Sequence, residues 1–284
     1  MFNTQLLKAF KSKKVIKIIT SLNNLDINST IRIIKSAELS GATYIDIAAN
    51  TKIVSLVKSI THLPICVSSI SPVELYNCVA MGADLVEIGN FDVFYKKNIN
   101  FSLFQILQLA QETKLLIPNK DICVTIPNNL NLYQQINLAK ELEKIGISII
   151  QTEGCNISNK KNTVIQLNNF LSGLLIKDSL FESLNNAIYS LSSTYALSSS
   201  INIPIISASG MDSLSSPLAI LFGASGVGIG SNIRKQNKIY DMSSYINEVN
   251  YSINIQNTNN FDYDLYMFIR KRFNKILLNN KINF

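Results

Sequence analysis

The chain has a single histidine, His62, in 284 residues, so acid–base chemistry here falls to carboxylates, lysine or tyrosine. Its four cysteines, Cys66, Cys78, Cys123 and Cys155, show no C-x-x-C spacing, and two of them sit inside apolar, strand-like runs. That argues against a zinc site and a disulfide framework, and suits a reducing compartment. No uninterrupted apolar run reaches the roughly 18 to 20 residues of a membrane helix. The N-terminus lacks the compact apolar segment and small-residue cleavage site of a secretory signal. Net charge is +7, yet no basic stripe carries interleaved aromatics, which argues against a nucleic-acid interface. The G-x-G-x-x-G turn of a dinucleotide fold is also missing, because the first predicted strand is followed by SLNNLD.

What is present is apolar and biased. With 47% hydrophobic and 16% charged residues the chain can bury a large core. About one residue in eight is Asn and one in seven Ile, a bias that fits AT-rich coding, as in organelle or endosymbiont genomes, better than selection for binding.

One phrase recurs four times: GATYIDIAA from Gly41, GADLVEIGN from Gly82, GISIIQTEG from Gly146 and GASGVGIGS from Gly223. Each follows an amphipathic helical pattern, such as NLYQQINLAKELEKIG over 131–146, and its first Gly suits a left-handed helix terminus. Between them lie VIKIITS, PICVSSI, DICVTIP and IPIISASG, from Val15, Pro64, Asp121 and Ile203. Eight strands alternating with helices predict a parallel sheet closed into a (β/α)8 TIM-type barrel over residues 1–256, with an open doubly wound sheet as the competitor. Residues 257–284 read as a C-terminal amphipathic helix, expected to dock on the barrel or on a second copy rather than on a membrane.

Alternation assigns the barrel interior. Ile45, Ile47, Val86 and Ile88 must face helices, which turns Asp46, Glu87, Gln151 and Gly228 inward. The same parity sends Lys17, Cys66, Cys123 and Ile206 inward, with Ile19, Ser68, Thr125 and Ala208 above them. Ala48, Gly89, Glu153 and Gly230 then reach the C-terminal mouth. Lys17, Asp46 and Glu87 would share a confined space, as a structural ion network or as catalytic groups. A Schiff-base role for Lys17 is disfavoured because two carboxylates would hold it protonated. Glu153, nearer the mouth, is the better general acid or base, and His62 should lie at the opposite face.

The glycines after the last two strands suggest a phosphate clamp. ASGM and GSNI follow predicted strands seven and eight, where backbone N–H groups and the start of a short helix hold phosphate in many barrels. Ser209, Gly210, Gly230, Ser231 and Asn232 are the candidate binding residues, with Arg234 adding charge from the rim. FDVFYKKNIN and GCNISNKKN, after strands four and six, are expected to cover the mouth.

The phrases LLKAFKSKKVIKIITSLNN, GATYIDIAA, LPICVSS, GADLVEIGNFDVFY, IIQTEG and GASGVGIGS resemble the hypothetical chloroplast reading frame twenty-three (Ycf) family of plastids and cyanobacteria, from about Leu6 to Arg234. The resemblance implies plastid coding, a stromal location and a barrel, and supplies no reaction. Cys155 stands where a second Gly is expected after TEG. Three functions remain in view. One is an isomerase or lyase acting on a small phosphorylated metabolite, and another an FMN-dependent oxidoreductase of nitronate-monooxygenase type, whose flavin-phosphate loops pair similarly. The third is a non-catalytic phosphate-ligand sensor or scaffold. No metal is expected, and a homo-oligomer is compatible with all three.

Overall fold

A computed structural model describes residues 3–89, 91–95, 97–154 and 178–254. Eight parallel strands, β1 (Val15–Ile19), β2 (Tyr44–Ala48), β3 (Ile65–Ser69), β4 (Leu85–Ile88), β5 (Asp121–Ile126), β6 (Ile149–Thr152), β7 (Ile205–Ala208) and β8 (Gly226–Ile229), close in sequence order. The seam pairs β8 with β1 and sets Lys17 beside Gly228. The open-sheet alternative is thereby excluded.

The helices form where side-chain caps meet apolar stripes. Helices α2 (Ile27–Leu39), α3 (Thr51–Ile60) and α4 (Pro72–Ala80) start at Asp26, Asn50 and Ser71, whose side chains accept first-turn N–H groups. After the short α5 (Asp92–Tyr95), α6 (Leu103–Leu116) and α7 (Leu132–Lys144) start with reciprocal capping boxes, Ser102 with Gln105 and Asn131 with Gln134. The helix-to-strand joints at Gly41, Gly82, Gly146 and Gly223 all have positive φ, as the repeated phrase predicts. Their outer cover packs on Ile16, Ile18, Ile45, Ile47, Val67, Val86, Ile150 and Val227, one continuous buried layer around the barrel. Burying each such side chain contributes about 1.5–3 kcal/mol.

One stretch of this layer is polar. Thr152 of β6 and Ser207 of β7 meet Ser190 and Thr194 of α8 (Asp178–Ser198) in a closed ring of four buried hydroxyls, 2.9 to 3.2 Å apart. Each hydroxyl has two partners, so this face stays polar without an orphaned donor.

Helix α1 (Thr4–Lys11) was not read from the sequence. Asn3 caps it, and Leu6 and Phe10 enter the bottom of the barrel against Val15, Tyr44, Leu85, Ile149 and Ile206. The Phe10 and Tyr44 rings lie 6.4 Å apart, and the Asn3 backbone N–H donates to Asp121 Oδ2 at 3.2 Å. The bottom is therefore plugged by α1. The chain continues after β7 and β8 through α9 (Ser216–Leu221), α10 (Ser231–Arg234) and α11 (Ile239–Asn254). The amphipathic helix predicted for 257–284 lies outside the described residues.

Candidate functional site

The interior parity puts Lys17 at the centre of the barrel, where its ammonium has three partners. It bonds Asp46 Oδ2 at 2.9 Å, Gln151 Oε1 at 2.8 Å, and Glu87 Oε2. Glu87 Oε1 accepts from Gln151 Nε2 at 2.8 Å and from Thr125 Oγ1 at 3.0 Å, while Asp46 Oδ1 accepts from Ser68 Oγ at 2.6 Å. All three charged groups are essentially sealed from solvent. Burial alone would lower the Lys17 pKa, but the Asp46 and Glu87 carboxylates outweigh it and hold the amine well above its ordinary value. Glu87 shifts the other way from a surface ion-paired carboxylate. Burial raises its pKa more than Lys17 lowers it, because one ammonium is shared between two acids.

A protonated Lys17 is no Schiff-base nucleophile. It also fills the one cluster among the described residues with metal-ligand spacing, Asp46, Cys66 and Glu87, whose ligand atoms lie within 4.8 Å of one another. Burial, then the nearby Asp46, pushes the Cys66 thiol up, so it is not offered as a thiolate.

Glu153 stands nearer the mouth and is also buried, but in a different setting. Its Oε2 accepts from the Tyr95 hydroxyl at 2.9 Å and faces Asn128 Nδ2 at 3.4 Å, and the same amide donates to the Gly154 carbonyl at 2.8 Å. Tyr95 arrives on α5, within the FDVFYKKNIN segment expected over the mouth. Most of GCNISNKKN lies outside the described residues. Asn128 was missed because nothing in PNNL distinguishes a mouth residue from an ordinary turn residue. Small residues make the room here: a Cβ on Gly89 would lie 2.2 Å from Thr125 Oγ1. His62 is exposed and precedes β3 at the bottom face, as expected.

The five candidate phosphate residues come together at the ends of β7 and β8. Ser209 and Gly210 both adopt left-handed backbone, φ 71° and 75°. A Cβ on Gly210 would come 2.1 Å from the Asn186 carbonyl oxygen. Gly230 precedes α10 and places no side chain over its first turn, where Ser231 is exposed. The rim arginine is partly committed, since Arg234 donates to the Ile19 carbonyl at 3.0 Å. Asn232 turns its amide to Tyr245 of α11, at 2.8 Å, and the Tyr245 hydroxyl donates to the Met211 carbonyl at 3.3 Å. Tyr245 thus fastens the loop after β7 to the loop after β8. Its own pKa is pushed up to about 12, chiefly by burial. Gly154 abuts Ser209, since a Cβ there would lie 2.8 Å from that of Ser209, which brings the Glu153 loop against this pair.

A sequence model of the protein of unknown function DUF561 matches residues 1–259. The chain belongs to this family. Its relatives include the uncharacterized protein ycf23 of Antithamnion sp., 44% identical over 252 residues, 88% of each chain. The protein of the same name from Porphyra purpurea is 40% identical over 244 residues, 86% of each chain. The resemblance to the chloroplast reading-frame family is therefore confirmed. Among solved structures, (S)-3-O-geranylgeranylglyceryl phosphate synthase from Thermoplasma acidophilum, in complex with its substrate sn-glycerol-1-phosphate, superposes with a TM-score of 0.57. It covers 89% of this chain and 99% of its own at 13% identity. Thiamine phosphate pyrophosphorylase from Pyrococcus furiosus gives 0.54, covering 85% and 96% at 15% identity. These likenesses establish the barrel fold. Among the described residues no helix is long and apolar enough to cross a membrane.

Proposed function

We propose that this barrel binds a small phosphorylated metabolite between the loops after β7 and β8, in the plastid stroma, and performs isomerase- or lyase-type acid–base chemistry with Glu153. The observation that carries the reading is the pair of backbone turns at adjacent strand ends, Ser209–Gly210 and Gly230–Ser231, tied together by Tyr245. Backbone N–H groups in such turns and at a helix start suit a phosphate dianion. Two solved barrels of this fold are named for phosphate esters, which agrees with the reading.

Glu153 is the group best placed to move a proton. It borders the loop carrying Ser209, and a phenol and an amide orient it. Lys17, Asp46 and Glu87 are assigned a structural role, because their hydrogen bonds are mutual and they are sealed from solvent.

Calorimetry with inorganic phosphate and sn-glycerol-1-phosphate tests the clamp. Gly230→Ala should weaken both by about tenfold or more, because a Cβ there would lie 2.6 Å from Arg234 Nη1 and 2.8 Å from the Ile19 carbonyl and displace the turn. Unchanged affinity in a variant that melts like the native chain would rule the clamp out. Glu153→Gln should keep binding and lose turnover of whichever phosphate ester proves to be the substrate. A native protein that releases flavin on denaturation would favour the FMN-dependent alternative instead.

A further inference from the structure

Helices α4 and α6 pack side by side on the outside of the barrel and share an uncommon surface. On α4, Val73 and Tyr76 are 60% and 50% exposed; on α6, Phe104 and Leu115 are 71% and 82% exposed. Phe104, Gln108, Gln111 and Leu115 follow one exposed stripe at i, i+4, i+7 and i+11, and Val73, Tyr76 and Ala80 follow another at i, i+3 and i+7. These are outward faces. The inward stripe of α6 is separately supplied by Ile106, Ala110 and Thr113. A helix apolar on both sides belongs between two bodies rather than on a wet surface.

Charge selects the partner. From Pro72 to Met81 and from Leu103 to Leu116 the charged side chains are Glu74, whose carboxylate accepts Ser69 Oγ at 2.6 Å, Glu112, which accepts from Gln108 Nε2 at 2.9 Å, and Lys114, so the aromatic end around Tyr76 and Phe104 carries Glu74 alone. Two copies of a chain carrying +7 repel one another over most of their surface, and a face with two acids and one lysine is where that repulsion is least. The exposed parts of Val73, Tyr76, Phe104 and Leu115 sum to roughly 500 Å², over half of the ~800 Å² each partner gives to a standard interface, and Asn77, Gln108 and Gln111 between them extend the face.

We propose that the α4–α6 face is the surface on which a second copy of this chain docks, with Phe104 and Tyr76 as its anchors. Aromatic anchors surrounded by uncharged polar groups are the residues on which such interfaces depend. Sedimentation of the full-length chain across micromolar concentrations should show a dimer. Phe104→Glu should weaken it by about a hundredfold or more and leave the melting profile of the separated barrel cooperative. Tyr240→Glu, an equally exposed aromatic on α11, should leave the dimer intact. A monomeric native chain, a Phe104→Glu variant that still dimerises, or a dimer broken by Tyr240→Glu would each overturn the proposal.

Discussion

The two ends of the barrel axis follow opposite rules. At the bottom, Val15, Tyr44, Leu85 and Ile149 fill the bore, and α1 adds Leu6 and Phe10 to close it. At the top, small residues take the inward positions, Ala48, Gly89, Ala208, Gly228 and Gly230, and the polar groups Glu153, Tyr95 and Asn128 gather at this end. Between them, Lys17, Asp46, Glu87 and Gln151 form a self-satisfied floor. Large apolar side chains mark the end of the barrel that is filled, and small inward residues with polar groups mark the end at which barrels of this fold carry their sites.

Removing the cation of the floor is the most severe way to break this contrast. Lys17→Met leaves Asp46 and Glu87 buried without a counter-charge, and denaturant titration should show a loss of about 3–5 kcal/mol. Next comes the plug. Phe10→Ala should cost about 3 kcal/mol of stability and leave phosphate affinity unchanged, since its cavity lies at the far end. Equal effects on stability and binding would show that the two ends are not independent.

The floor also makes stability depend on pH in two windows. The folded pKa of Lys17 lies above its unfolded value of 10.5, so its contribution is fully present below 10.5 and is lost as pH rises through the folded value. Glu87 binds its proton more tightly folded than unfolded, so stability falls as pH rises from 4.5 through its raised pKa. Melting profiles of Glu87→Gln should lack the acid window and retain an alkaline one. A smaller effect belongs to the top. Tyr245→Phe removes the tie between the loops after β7 and β8 and, if they hold phosphate as proposed, should weaken its binding by several-fold, about 1 kcal/mol, with little change in melting temperature. Smallest of all, Cys66, Cys78 and Cys123 should resist alkylation in the native state at neutral pH. All three are buried and burial pushes each thiol up, Cys78 to about 11.

The barrel was legible because its phrase repeats: four Gly joints set four strands in register, and parity then placed Lys17, Asp46, Glu87 and Gln151 together. Parity works wherever backbone regularity decides direction. It fails where loop path decides, and Tyr95, Asn128 and Tyr245 reach the site from a short helix, a turn and a distant helix. Helix α1 escaped because it is only eight residues long and runs at once into Lys13, Lys14 and β1, so its buried Leu6 and Phe10 repeat over too few turns to stand out. The hydroxyl ring escaped because Ser190 and Thr194 on a helix look like solvent-facing polar residues until the strands opposite also supply hydroxyls.

The plug at the bottom has a consequence for the order in which the chain is made. Helix α1 is made before every strand of the barrel, but its seat includes Ile149 of β6 and Ile206 of β7, which are synthesised more than 130 residues later. Leu6 and Phe10 therefore have a complete seat only once β7 has been made, and an element that precedes all eight strands is among the last to find its place. Docking of α1 is thereby tied to closure of the barrel, because its seat is complete only when strands from both halves of the chain are in place.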